Sequence, residues 1–167
     1  GRFREFYQCD IDVIGDGKLD ISNEAEIPAI IYQAFTALGL ERFRIRVNNR
    51  KILTGFYAME GLEAQAGDIM RTVDKLDKIG PEKVKALLLE QGVSEQAAGE
   101  ILDFIAITGD TAAVLAALEG FRGRNEISDQ GLEELATVVK YLAAFGVPED
   151  HFAVDLTIAR GLDYYTG

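Results

Sequence analysis

The sequence predicts an α+β fold, in which an antiparallel sheet flanked by helices is interrupted by an inserted all-helical domain. Three observations support it. Strand-like alternation of apolar and polar residues is confined to the two ends of the chain. Between about residues 61 and 145 only helical periodicity occurs, with glycines separating short amphipathic stretches. Of the 167 residues, 48% are apolar, enough for a real hydrophobic core. We therefore divide the chain into a partial α+β core (1–60 and 146–167) and a helical insertion (61–145).

Composition limits the function classes. The formal charge of −11 argues against non-specific nucleic-acid binding by the whole chain, so an RNA partner would have to meet a local basic patch. The sequence has neither a long apolar run nor a signal-like segment, so we expect no membrane partner. The single cysteine, Cys9, excludes an internal disulfide and fits a reducing compartment such as the cytoplasm. We assign Cys9 as a small core residue and not as a nucleophile.

The stretch Phe3 to Gly15 is rich in aromatic and β-branched residues and predicts the first β-strand. Its odd positions are mostly apolar and suit packing on a core. Along the other face, the side chains change from cationic through aromatic to acidic. They would form a binding surface for a ligand with an anionic end, a flat ring and a hydrogen-bonding end. An edge strand with outward polar residues explains the strand alone equally well. The residues of the second face are Arg2, Arg4, Phe6, Gln8, Asp10, Asp12 and Ile14.

A helix should follow between Asn23 and Gly39, with Asn23 and Glu26 as a capping pair and an apolar face that covers the sheet. That face consists of Ile27, Ile30, Ile31, Ala34, Phe35 and Leu38. The stretch 42–47 alternates as a strand, and 51–60 has helical spacing. A basic row there is ordinarily a solvated strand face, but in so acidic a chain it is also the best local candidate for phosphate contact. It comprises Arg42, Arg44, Arg46, Arg50 and Lys51.

The insertion should contain five helices. We place one through Ile69 to Leu76, one from Pro81 to Gly92, one capped by Ser94, a short one ending at Gly120, and a long one capped by Ser128 and ending at Gly146. Strand periodicity returns at 152–158. The only histidine, His151, stands at a loop-to-strand edge, and we assign it to the surface without a catalytic role.

The last nine residues read Ala-Arg-Gly-Leu-Asp-Tyr-Tyr-Thr-Gly. Gly161 directly after Arg160 permits a tight bend and close approach of a ligand to the backbone. Arg160, Tyr164 and Tyr165 together offer a planar cation and two phenol hydroxyls. The alternative is that the tyrosines simply fill the end of a sheet.

Two end motifs carry a resemblance. The run 2–12 resembles the second half of motif 2 of class II aminoacyl-tRNA synthetases, in the form found in histidyl-tRNA synthetases. The run 159–167 resembles the histidine signature of those enzymes, and 73–78 (Val-Asp-Lys-Leu-Asp-Lys) is also similar to family members. The resemblance implies a class II synthetase core and an insertion near the tRNA acceptor stem. It implies activation of L-histidine by ATP, as its Mg²⁺ complex, to histidyl-adenylate, then transfer to the 3′ end of tRNA(His) by a homodimeric enzyme.

The resemblance also implies roles for single residues. The residues that it implies for histidine binding are Gln8, Asp12, Arg160, Tyr164 and Tyr165. Those that it implies for ATP binding are Arg2, Arg4 and Phe6, with Phe6 stacking on adenine. Arg160 is also the catalytic residue, placed where charge grows on the α-phosphate, and no metal-ligating residue is assigned.

The departures from the family pattern limit these expectations. Motif 1, the first strand of motif 2, motif 3 and the anticodon-binding domain are missing, so the chain would hold about half a catalytic site and be inactive alone. A second hypothesis is an inactive synthetase-like paralogue acting as the histidine-sensing regulatory subunit of ATP phosphoribosyltransferase. A third is a purely structural helical module. The intact end motifs disfavour both.

Overall fold

The computed structural model describes residues 4–159. Within this range the chain is mainly helical, and its two short strands form one small sheet. No helix in the described range is both long and apolar enough to cross a bilayer. The α-helices are α1 (Asn23–Ala37), α2 (Arg50–Met59), α3 (Ala66–Val73), α4 (Leu76–Ile79), α5 (Pro81–Glu90), α6 (Glu95–Ile105), α7 (Thr111–Glu119) and α8 (Glu126–Ala144). The strands are β1 (Ile45–Val47) and β2 (Phe152–Val154), and 3-10 turns occupy Glu63–Gln65 and Glu149–His151.

The predicted first strand is wrong over the residues that the structure describes. Residues 4–20 form no helix or strand, and their side chains are exposed. Tyr7 is 98% exposed, and Cys9 is exposed and not in a core. A strand is stable only when a neighbour satisfies its N–H and C=O groups, and the sheet within the described range pairs only β1 with β2. Propensity and alternation alone therefore do not make this segment a strand.

The predicted antiparallel sheet also needs correction, because β1 and β2 pair in parallel. Ile45 lies opposite Phe152 and Val47 opposite Val154. A parallel pair needs a long crossover connection, and here α2 to α8 lie between the two strands in the chain. The predicted alternation is confirmed over the short observed strands, since Phe152 and Val154 are buried while Arg46 is exposed.

Helix α1 forms as predicted, but it buries a different set of residues and packs mainly on another helix, α8. Contact with the sheet is smaller, where Ala25 and Ala29 share a hydrophobic cluster with Phe152 of β2. Its buried residues are Ala25, Pro28 and Ala29, whereas Leu38 of the predicted apolar face is 77% exposed. The predicted capping pair is wrong, because Ser22 occupies the cap position and no side-chain cap bond forms.

The crossing of α2 and α8 is the centre of the fold. Ile52, Leu53 and Tyr57 of α2 are fully buried. Gly131 of α8 and Gly55 of α2 both lie at the contact. A Cβ atom at Gly131 would stand 2.8 Å from the backbone nitrogen of Ile52, and one at Gly55 would stand 2.6 Å from that of Ser128. The two backbones are therefore close enough that only glycine fits.

Two hydrophobic clusters adjoin this crossing. The larger joins α2 to α3, α5, α6, α7, the first half of α8 and the residues after β2. The smaller joins α1, the second half of α8 and the start of β2. Because α8 contributes to both, it ties the helices that follow α2 to the strand end of the molecule.

The five predicted insertion helices are all present, and α4 adds a single further turn. Ser94 caps α6, as predicted, by accepting a hydrogen bond from the backbone N–H of Ala97 at 3.1 Å. The predicted Ser128 cap is wrong, since Asn125 caps α8 by accepting from Ile127 and Ser128 at 3.0 and 3.1 Å. Helix α8 therefore begins one turn earlier than its sequence pattern suggests.

Tyr57 suggests a stabilising substitution. Its hydroxyl is buried without a hydrogen-bond partner among residues 4–159, and burial raises its pKa. Tyr57→Phe should raise the free energy of unfolding by about 1 kcal/mol, because an unpaired buried polar group is removed without changing the ring. Denaturant titration measures this, with Tyr141→Phe as the matched control, since Tyr141 is 37% exposed. Loss of stability in Tyr57→Phe alone would show that the hydroxyl has a partner.

Candidate functional site

The turn after β2, which precedes Arg160 in the sequence, is hydrogen-bonded to the end of β1. The backbone N–H of Asp155 donates to the carbonyl of Val47 at 3.0 Å. Arg46 donates to Asp155 Oδ2 at 2.9 Å, and Asp155 Oδ1 accepts from the Thr157 hydroxyl at 2.6 Å and its backbone N–H at 2.9 Å. This network fixes the conformation of residues 155–158.

The charges in this network stabilise each other. Burial alone would raise the pKa of Asp155, but hydrogen bonds from Thr157 and Arg46 outweigh it and lower that pKa. The pKa of Arg46 is raised by its hydrogen bond to Asp155. The guanidinium of Arg46 is therefore engaged by a carboxylate of the same chain, which does not support a role in phosphate contact.

Two adjacent asparagines, Asn48 and Asn49, lie just before the start of α2. Asn48 Nδ2 donates to the carbonyl of Ile158 at 2.9 Å. Asn49 caps α2 by accepting from the N–H of Lys51 at 2.9 Å, and it donates to Glu134 Oε2 at 2.8 Å. Lys51 pairs with Glu134 at 2.5 Å. Burial would raise the pKa of Glu134, but the bonds from Lys51 and Asn49 lower it. Lys51, like Arg46, is engaged by an acidic partner.

The predicted site residues fall in two groups. One group lies in the exposed segment before α1, where Phe6 is 73% exposed and Gln8 donates to Asp10 at 2.9 and 3.0 Å. The structure does not bring this group into a pocket. Its members are Arg4, Phe6, Gln8 and Asp12. The other group, Arg2, Arg160, Tyr164 and Tyr165, lies outside the described residues.

His151 is not the plain surface residue that we predicted. Its side chain is 20% exposed and its ring meets those of Tyr32 and Phe43 edge to face, at centroid distances of 5.1 and 4.9 Å. Its Nδ1 lies 2.9 Å from Asp150 Oδ1, and this hydrogen bond lowers the pKa of Asp150. His151 therefore joins α1 to the start of β2. The sequence offers no local signal for this, because its ring partners lie far away in the chain.

Sequence reasoning also missed a shallow cavity of about 350 Å³ between α2 and the loop before α8. Phe56 and Phe121 form an aromatic wall, and the guanidinium of Arg124 lies 5.3 Å from the centre of the Phe121 ring. Glu60 also lines it, and a hydrogen bond with Glu100, followed by burial, raises the pKa of Glu60. In the part of the chain that the structure describes, no three acidic, histidine or cysteine side chains stand together as a metal cage requires.

Comparison with known proteins agrees with the two end motifs. The sequence profile described as histidyl-tRNA synthetase matches residues 1–167, the full length of the chain. The chain belongs to the histidyl-tRNA synthetase family. The histidine–tRNA ligase of Clostridium tetani is 49% identical over the whole chain, which covers 38% of that protein. The ligase of Trichormus variabilis is 44% identical over the whole chain, and the match covers 37% of that ligase. The chain thus spans little more than a third of the length of these curated family members.

Solved structures agree with this family. The crystal structure of histidyl-tRNA synthetase from Nostoc sp. PCC 7120 matches with a TM-score of 0.84 and 39% identity, over 90% of this chain and 36% of that one. A Bacillus halodurans structure, described as an ATP phosphoribosyltransferase regulatory subunit/histidyl-tRNA synthetase, matches with a TM-score of 0.69. Its identity is 22%, over 93% of this chain and 39% of that one, so this likeness shows the fold alone.

Proposed function

We propose that this chain is part of a histidine–tRNA ligase that activates L-histidine with ATP and transfers it to the 3′ end of tRNA(His). The observation that carries the proposal is the family match over all 167 residues, both end motifs included. Histidine's carboxylate attacks the α-phosphorus of ATP, histidyl-adenylate forms, and pyrophosphate leaves. The acyl group then passes to the terminal ribose of the tRNA. ATP enters as its Mg²⁺ complex, in which phosphate oxygens help to hold the ion.

We assign the histidine pocket to Gln8, Asp12, Arg160, Tyr164 and Tyr165. The imidazole ring offers both an N–H donor and an acceptor nitrogen, and a carboxylate with tyrosine hydroxyls complements that pattern. A pocket built for these hydrogen bonds rejects apolar amino acids strongly, because its own polar groups would be left unpaired. Within this pocket, we expect the negatively charged carboxylate of Asp12 to accept a hydrogen bond from the imidazole N–H of the substrate.

We assign ATP binding to Arg2, Arg4 and Phe6, with the Phe6 ring stacking on adenine and the two guanidinium groups over the nucleotide. The exposure of Phe6 in the structure leaves its ring accessible for stacking. Arg160 supplies a permanent planar cation beside the α-phosphate. The activation step needs no nucleophile from the protein, because positioning and electrostatic stabilisation are sufficient.

The predicted division of the chain is part of the same proposal. Residues 1–60 and 146–167 would belong to the synthetase core, and 61–145 to an insertion that lies near the acceptor stem of the tRNA. The whole enzyme would act as a homodimer in the cytoplasm. The chain's acidic character restricts RNA contact to local basic side chains, of which Arg124 beside the 350 Å³ cavity is one.

A catalytically inactive, histidine-sensing regulatory subunit is the alternative from another function class. Its support is weaker, because the Bacillus halodurans match rests on 22% identity whereas the ligase of Clostridium tetani is 49% identical. Histidine-dependent exchange of pyrophosphate into ATP by the full-length protein separates the two. We expect exchange with histidine and none without it. A protein that binds histidine but supports no exchange would be the regulatory kind.

Asp12→Asn in the full-length protein should lower histidine selectivity by about 1.5–3 kcal/mol, the range for a hydrogen bond to a charged group. The substitution keeps the shape but removes the negative charge, so a ring N–H meets a competing N–H. ATP binding should hardly change.

The measurement is a pair of separate titrations with histidine and ATP. Phe6→Ala is the matched control, and it should weaken ATP binding more than histidine binding. Equal weakening of both ligands by Asp12→Asn, or of neither, would show that Asp12 does not contact the substrate.

A further inference from the structure

The two arginines in the loop between α7 and α8 have different partners. Arg122 donates to Glu119 at 2.6 and 2.9 Å and to Glu133 at 3.2 Å. Arg124 is exposed and makes no ion pair with any residue in the range 4–159. Its guanidinium carbon instead lies 5.3 Å from the centre of the Phe121 ring. Because an aromatic ring and not an acid holds Arg124, its N–H groups and its outer face are available to a ligand.

The backbone on both sides of Arg124 is fixed. The N–H of Gly123 donates to the two carboxylate oxygens of Asp129 at 3.1 and 3.0 Å. On the other side, the side chain of Asn125 caps α8. A side chain on a fixed backbone loses less conformational freedom when a ligand binds, so this loop suits a preformed contact.

The ring beneath Arg124 belongs to a packed aromatic cluster. Phe56 and Phe104 are buried and stacked, with ring centroids 3.9 Å apart and an angle of 10° between the planes. Phe121 meets these two rings edge to face, at centroid distances of 5.9 and 5.1 Å. The cluster holds the Phe121 ring in one orientation, and the cation of Arg124 therefore lies over a fixed surface.

The 350 Å³ cavity beside this cluster combines three chemical features. Arg124 offers a planar cation, Phe121 and Met59 contribute apolar surface, and Glu60 contributes a carboxyl group. These features match the phosphate, the flat face and the amino or imino N–H groups of a nucleotide. Proteins that bind unpaired nucleotides stack the bases on aromatic rings or on arginine guanidinium planes. The volume is also in the range of small-ligand pockets.

We propose that this cavity binds one unpaired nucleotide of the tRNA, with the base stacked on the guanidinium of Arg124 and the base edge donating to Glu60. The inference rests on the proposed function, which supplies a tRNA as substrate. It uses none of the residues assigned to histidine or ATP. Stacking needs one aligned cation and not a basic patch, so the site is compatible with the formal charge of −11.

Fluorescence anisotropy of labelled tRNA(His) transcript with the full-length protein, at one fixed salt concentration, tests the proposal. Arg124→Gln should raise the tRNA dissociation constant roughly 5- to 100-fold, the range for losing one stacked base. Arg124→Lys should restore little of the affinity, because an ammonium group is not planar and cannot stack as a guanidinium does. The midpoint of denaturant unfolding is measured for each variant.

Lys140→Gln is the matched control. It removes the same charge from an exposed position of α8. Lys140 lies roughly 20 Å along the helix from Glu126, which is farther than exposed charges interact at ordinary salt concentrations. This variant should leave the tRNA dissociation constant nearly unchanged.

A cross-linking experiment locates the contact on the tRNA. Met59 lines the cavity and is partly exposed, so Met59→p-benzoylphenylalanine places a photoreactive group beside Arg124. Irradiation of the full-length variant with the transcript should link it to an unpaired nucleotide, which primer extension identifies. The same group at Lys140 is the control and should give no such link. A link from Met59 only to paired nucleotides, or none, would overturn the proposal.

The affinity results separate this inference from the proposed function. Unchanged tRNA affinity in Arg124→Gln would overturn the nucleotide site, and a lower unfolding midpoint with it would show that another part of the full-length protein fills the cavity. Full rescue by Arg124→Lys would refute stacking, and equal weakening by Lys140→Gln would show that net charge controls binding. Absence of histidine-dependent pyrophosphate exchange in the unsubstituted protein would refute the ligase function, whereas the affinity comparison would still decide on the cavity.

Discussion

Replacing Arg160 with alanine in the full-length protein should slow histidyl-adenylate formation about 10²- to 10³-fold, which corresponds to roughly 3–4 kcal/mol of transition-state stabilisation. Negative charge grows on the α-phosphate as the histidine carboxylate attacks, and a fixed guanidinium beside it stabilises the transition state more than the ground state. Histidine binding should weaken much less than the rate falls. Single-turnover kinetics with separate histidine titrations measure both quantities.

Arg160→Lys provides the control for this prediction. Lysine keeps the positive charge but not the planar, five-donor fork, so it should restore little of the rate. A rate near that of the unsubstituted protein would show that charge alone is enough. An unchanged chemical step with only weaker histidine binding would move Arg160 from catalysis to substrate binding.

Gly131→Ala should lower the free energy of unfolding by about 2–3 kcal/mol, the upper part of the range for overpacking a well-packed core. The new methyl group would stand 2.8 Å from the backbone nitrogen of Ile52 and 2.8 Å from the Cβ of Lys51. The nearest atom belongs to the backbone of α2 and cannot rotate away, so the two helices must separate. Gly55→Ala should behave alike on the other side of the crossing, where its methyl group would stand 2.6 Å from Ser128.

Gly99→Ala is the matched control for the helix crossing. Gly99 lies inside α6, and a Cβ atom there would have no neighbour within 4 Å. This substitution should raise stability by up to about 1 kcal/mol, because alanine favours the helix and has space. Denaturant titrations of the three variants decide the question. A gain in stability from Gly131→Ala would mean that α2 and α8 cross at a greater distance than the structure shows.

Much of the local structure could be predicted from the sequence. The helices between residues 61 and 145 have clear periodicity and glycine boundaries, and all five expected helices are present. The cap at Ser94 and the alternation in β1 and β2 were also correct. These features depend on residues within a few positions of one another, so the sequence contains them directly. The order of residues in the two end motifs likewise identified the family.

Features that depend on distant partners could not be predicted. Residues 4–15 have the composition of a strand, but a strand needs a neighbour to hydrogen-bond with, and composition does not provide one. The parallel direction of β1 and β2 depends on how the helices between them pack. The buried face of α1 was decided by α8 and the start of β2, against which Ala25 and Ala29 are buried.

The same reason explains what was missed at the candidate site. Arg46 and Lys51 belonged to one basic row in the sequence, with Asn48 between them, yet the partners of Arg46, Asn48 and Lys51 are Asp155, Ile158 and Glu134 respectively. Each partner is more than 80 residues away in the chain. The sequence by itself determined the family, the helices and the residue types available for chemistry. Only the tertiary structure decided which charges are paired within the chain and that the Asn48 amide binds the carbonyl of Ile158, because both depend on contacts that folding makes between distant segments.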